Sequence, residues 1–120
     1  MEEGRVEFDR YFGFLRRVGF DLESFNYEPE AFGNFVAVYR REDVALRVVR
    51  DRSEVFVDAA KAGSAWQDKE TLLESSGIPR SRHEIVDGLW AGYEIETQAS
   101  DLRKNFEVLL QALSATTASG

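Results

Sequence analysis

The chain predicts an α+β fold: an antiparallel β-meander of three to four strands packed against an N-terminal helix, a short middle helix and a long C-terminal helix. Three observations carry it. Residues 34–58 alternate apolar and polar side chains with period two, broken by two short polar turns. Residues 6–18 and 95–113 repeat apolar side chains every three or four positions, the spacing of one helical face. At 120 residues, 43% hydrophobic and 31% charged, the chain has the size and composition of one soluble globular domain.

The first helix is expected over Val6 to Val18, burying Phe8, Phe12 (or Tyr11), Leu15 and Val18. Gly19 stands where a left-handed residue ends a helix, and Phe20 is placed to fold back on Leu15 in a Schellman ending. Gly13 inside the helix costs about 1 kcal/mol relative to alanine and suggests a close approach, most simply by a strand. Residues 21–33 read as a connection. Within it Phe25 and Tyr27 suit a short edge strand ended by Pro29.

In the meander, Phe35, Ala37 and Tyr39 alternate with Val36, Val38 and Arg40 before the turn Arg41-Glu42-Asp43. Val44, Leu46 and Val48 then alternate with Ala45, Arg47 and Val49. Asp51-Arg52-Ser53 turns again, into Val55 and Val57 alternating with Glu54, Phe56 and Asp58. β-Branched residues dominate, and turns this short join only antiparallel neighbours.

Residues 59–65 are small and read as a loop around Gly63-Ser64. Asp68 is an N-cap for a short helix through Leu72 and Leu73, stopped at Ser75-Ser76-Gly77 and barred from continuing by Pro79. Between Arg80 and Gly92, Ile85, Val86, Leu89 and Trp90 fit strand or loop. Ile95, Ala99, Leu102, Phe106, Leu109 and Leu113 form one apolar stripe, predicting a single helix from Tyr93 to Ser114. The expectation is one domain over residues 1–120, ordered over 6–114, with a frayed tail at 115–120.

Little of this points to chemistry. Without cysteine, disulfides and thiolate metal sites are excluded. His83, the one histidine, lies among charged residues with no nucleophile elbow in the chain, and reads as a loop histidine. Glu94 with Glu96, Glu42 with Asp43 and Glu28 with Glu30 read as surface acids; on a helix, two residues apart, Glu94 and Glu96 diverge. Gly88 and Gly92 lack the Lys-Ser or Lys-Thr of a phosphate loop. The reading is therefore non-enzymatic, with no catalytic residue, metal or cofactor.

A net charge of −7 and a pI near 4.8 disfavour nucleic acid and anionic membranes and favour encounter with a basic protein partner. The start Met1-Glu2-Glu3-Gly4 has no signal-peptide character, and no apolar run reaches the ~20 residues of a membrane span. A cytoplasmic location is expected. Arg40, Arg41, Arg47, Arg50 and Arg52 cluster in the meander, with Arg40 and Arg47 expected on its solvent face and the others at the turns. Arg40, Arg47, Arg50 and Arg52 are candidates for gripping a carboxylate, a phosphate or a partner's acidic patch. The interleaved Glu42, Asp43, Asp51, Glu54 and Asp58 favour the plainer alternative of cross-strand ion pairs. Trp66, Trp90 and Tyr93 are candidate interface aromatics, although the core is the favoured place for the tryptophans. The C-terminal stripe spans about three heptads without an e/g charge scheme, which favours packing on the sheet and leaves a homodimer open.

A helix closed by Gly19-Phe20, a meander with Asp51-Arg52 before Val55-x-Val57, and leucine-rich helices resemble small uncharacterised bacterial α+β proteins over residues 6–113. Some of these are similar to immunity proteins of polymorphic toxin systems. That resemblance implies binding and blocking of one toxin domain, and assigns no residue a role. Type III secretion chaperones are similar in size, acidity and alternation of helices with antiparallel strands; that likeness implies a homodimeric adaptor for extended clients.

Overall fold

A glycine divides the first helical stretch. In the computed structural model, which describes residues 3–28, 30, 34–52, 54–78, 85–86, 89–90 and 94–118, α1 (Glu3–Phe12) and α2 (Phe14–Arg17) flank Gly13. A Cβ at Gly13 would lie 2.5 Å from the carbonyl oxygen of Asp9. The close approach is thus to the preceding helical turn and not to a strand. The break turns Phe14 inward beside Phe8, Phe12 and Leu15, and leaves Val18, expected on the buried face, exposed at the C-cap. The ending is as expected. Gly19 has φ 94°, its N–H donates to Arg16 O (3.1 Å), and Phe20 N–H donates to Leu15 O (2.9 Å).

The residues read as a connection form a full strand, β1 (Asp21–Glu28), paired antiparallel with β2 (Asn34–Arg41). A bulge between Leu22 and Ser24 explains why its alternation was hard to read. Phe25 and Tyr27 face the core, so strict period two would send Glu23 there as well. One extra residue instead brings Leu22 opposite Tyr39 and turns Glu23 out. The bulge and the flanking carboxylates also blunt this open edge.

β2 continues into β3 (Val44–Asp51) and β4 (Glu54–Lys61), closed by the pairs Arg41↔Val44 and Asp51↔Glu54. Glu42 and Arg52, leading the two turns, both have φ 54°, a left-handed conformation usually left to glycine or asparagine. Ala59, Ala60 and Lys61 extend β4 where a loop was expected. Their backbone pairs with Leu46, Ala45 and Val44, which outweighs the low strand propensity of alanine. β5 (Gln67–Asp68) adds a two-residue strand beyond β4, giving the order β1-β2-β3-β4-β5. The meander therefore has five strands, not three to four.

Asp68 then caps α3 (Lys69–Ser75), accepting from Thr71 N–H at 3.3 Å. α3 ends as α2 does, with Gly77 at φ 86° and Ile78 N–H donating to Leu73 O at 2.9 Å. β6 (Ile85–Val86) and β7 (Leu89–Trp90) pair with each other, so these four residues are strand. Pro79, His83, Gly88, Gly92 and Tyr93 lie outside the described residues.

The C-terminal stripe is buried as expected but crosses two helices, α4 (Ile95–Lys104) and α5 (Phe106–Ala118), instead of one. Asn105 interrupts them at φ −109°, ψ 22°. Its Nδ2 donates to the Asp101 carbonyl (3.2 Å) and to Asp101 Oδ1 (3.0 Å), the local competition with helical bonding typical of asparagine. Helix also continues through Ala118, four residues beyond the expected end.

All the helices contribute to one core, laid on one face of the sheet. Phe35, Ala37, Tyr39, Leu46, Val48, Val55, Val57 and Ala59 meet Phe8, Phe12, Leu15, Leu72, Leu73, Leu102, Leu109 and Leu113 there. Phe8 anchors it, with ring centroids 5.2 Å from Phe12, 5.3 Å from both Phe25 and Phe35, and 5.9 Å from Tyr39.

Candidate functional site

Alternation that sends one set of side chains to the core beneath the helices sends the other set outward to the opposite face, where Ala45 and Ala60 are nevertheless buried. Register defines its rows. Asn26, Val36, Val49 and Phe56 stand opposite one another across β1 to β4. The next row is Ser24, Val38, Arg47, Asp58 and Asp68, reaching β5. The third holds Asp21, Arg40, Ala45 and Ala60. Val36 is 36% exposed, while Val38, Val49 and Phe56 are half-buried, so the middle of this face is apolar.

The four candidate arginines do not converge on one pocket. Arg40 and Arg47 share the outward face as expected, whereas Arg50 lies on the helix side, opposite Phe35 and Val55, and Arg52 leads an exposed turn. Arg52 N–H is fixed by Asn34 Oδ1 at 2.8 Å. Two of them form the ion pairs of the plainer alternative. Arg40 Nε donates to Glu23 at 2.7 Å, and this hydrogen bond, with the carboxylate's charge, raises the guanidinium above its ordinary pKa. Arg47 donates from Nε (3.0 Å) and from a terminal nitrogen (2.7 Å) to Oδ2 of Asp58, directly across the sheet. Arg41, outside the candidate set, donates to the Val18 carbonyl at the end of α2 (2.7 Å) and lies 4.7 Å from the centre of the Phe20 ring.

Trp66 is not in the core. It enters β5 on the outward side, half-buried, with its ring centre 4.5 Å from the Arg47 guanidinium. Arg47, Asp58 and Trp66 thus form a compact group with a held guanidinium on an indole face. Trp90 is the last residue of β7, and Tyr93 lies outside the described residues.

Around the apolar middle the charge is mostly negative. Asp21, Glu23, Glu28, Asp51, Glu54, Asp58 and Asp68 stand on this face against Arg40 and Arg47. Among the described residues this face is therefore net negative, in keeping with the −7 of the whole chain.

A second polar group is buried on the helix side, where residue types gave no sign of it. Lys69, 1% exposed, donates to Glu70 Oε2 (2.8 Å) and to Asp101 Oδ2, and Gln98 donates to Glu70 Oε2 (3.5 Å). α3 packs on α5, β4 and β5, and these bonds tie its first turn to α4. The ammonium is taken up by two carboxylates, which makes it a clasp between helices. A groove of about 330 Å³ along α4, lined by Glu96, Thr97, Ser100, Asp101 and Lys104, borders this clasp. Among the described residues no group of histidine and carboxylate side chains is arranged to hold a metal, and no helix is long and apolar enough to cross a membrane.

No protein-family model, no curated protein and no solved structure matches the chain.

Proposed function

We propose that the chain is a non-enzymatic, cytoplasmic protein-binding domain of the immunity-like kind, acting by covering a partner's surface. The observation that carries this reading is the outward sheet face, with valines in its middle, a tryptophan at its β5 edge and carboxylates around them. Antiparallel sheets that face water usually turn polar residues outward, so valines spread over two adjacent strands suit a surface covered by another protein. Trp66 with its stacked arginine has the composition of an interface anchor. The immunity-like part of the proposal rests on the sequence resemblance.

A homodimeric adaptor is the alternative, but the stripe that suggested a dimer seam is used up in the core: Leu102, Leu109 and Leu113 are each 0% exposed. A dimer would need another surface. The test is affinity capture with the wild type and with Val49→Arg, after thermal unfolding shows both to be folded. A protein retained by the wild type, lost by Val49→Arg and bound one-to-one when purified supports the reading. Equal retention by both forms, or a wild-type dimer by light scattering that Val49→Arg dissociates, counts against it.

A further inference from the structure

We propose that the outward face is built for a basic protein surface, and that a partner's arginine or lysine enters between Asp58 and Asp68 beside Trp66. This inference rests on the protein-binding reading and specifies its partner's chemistry. Asp58 and Asp68 are directly opposite on β4 and β5. Like charges facing each other across strands are unfavourable in a free sheet and become favourable when a cation lies between them. Among the described residues, Arg47 is the one cation bonded to either carboxylate, and none is bonded to both. Arg47 approaches Asp58 from the β3 side, and its two hydrogen bonds both go to Oδ2. Asp68 likewise uses Oδ2 for the Thr71 N–H and hydroxyl. Among the described residues, the hydrogen bonds to these two carboxylates all fall on Oδ2, so each keeps Oδ1 for an incoming donor.

The surroundings fit the same visitor. Trp66 already holds one guanidinium against its ring, at 4.5 Å, and the valines of the neighbouring row offer apolar contact to the stem of a long basic side chain. Charge also selects the kind of occupant. A second copy of this chain would bring the same carboxylates against these, whereas a basic surface gains in encounter rate and in registry.

The experiment is nuclear magnetic resonance titration of the full chain with a synthetic peptide alternating arginine and leucine, with a glutamine-leucine analogue as control. Shifts confined to the outward face and the Trp66 indole are expected, with affinity falling about tenfold when salt is raised from about 50 to about 500 mM. Asp58→Asn with Asp68→Asn should lower that affinity about tenfold while thermal unfolding still shows a folded chain. Shifts on the helices beyond the first turn of α3, which Asp68 caps, equal binding by the analogue, or an unchanged affinity in the double variant would overturn the inference. The protein-binding reading fails separately. A captured partner that is lost by Val49→Arg, yet indifferent to salt and to the two aspartate changes, leaves that reading standing and removes only the basic partner.

Discussion

On the helix side of the sheet, Phe35, Tyr39, Leu46 and Val48 lie in the core at no more than 1% exposure, and the charged group around Lys69 is enclosed there with its partners. On the outward side, residues from the same strands leave Val36 exposed, and the Arg47–Asp58 pair keeps 32% and 18% of its side chains in solvent. The contrast separates stability from recognition. A charge enclosed on the helix side is costly to disturb because its partners would stay behind without water. A charge on the outward side can be removed at little cost to folding, which leaves that face open to selection for binding.

The largest break in this contrast should come from Lys69→Met. It leaves Glu70 and Asp101 together without a cation, and should lower stability by about 3–5 kcal/mol in urea unfolding. Adding Glu70→Gln removes one stranded charge and should restore at least about 1 kcal/mol of it. Next come two truncations within β3: Leu46→Ala should cost about 2–4 kcal/mol, and Val49→Ala, facing outward, about 1 kcal/mol or less. If the two cost the same, the outward face is not a free surface.

Gly19 and Gly77 sharpen the helix side, because both end helices in the left-handed region while only Gly19 has a neighbour, with a built Cβ 3.1 Å from Arg41 Cδ. Alanine at either should cost about 1–2 kcal/mol, and the excess at Gly19 measures the Arg41 contact. Arg47→Ala should cost at most about 1 kcal/mol, and a double-mutant cycle with Asp58→Ala should return a coupling within that range. The smallest effect is at the turn: Glu42→Gly relieves φ 54° and should range from neutral to about 0.5 kcal/mol stabilising by thermal unfolding.

Legibility in the sequence followed the range of the interaction. The Schellman ending at Gly19-Phe20, the Asp68 cap and the β2–β3–β4 alternation each depend on residues within a few positions of one another, and each was readable. β1 was harder because its bulge changes the spacing from two to three between Leu22 and Phe25, a signal that makes sense only beside a paired Tyr39. Half of the candidate site was legible. Arg40 and Arg47 could be placed on one face by counting, and Asp58 was among the acids expected to pair. Trp66 was expected inside because its bulk says core, and only the two-residue pairing of β5 puts it outside.

By itself, then, the sequence determined the α+β class, the antiparallel meander, the glycine ending at Gly19-Phe20, the Asp68 cap and the acidity, since period, capping chemistry and charge are properties of short stretches. Only the tertiary structure decided the fifth strand, the break at Asn105, the enclosure of Lys69 and the meeting of Arg47, Asp58 and Trp66. Each of those brings together residues distant in the chain, and their energy comes from burial, or from a pairing distance, that no single stretch possesses.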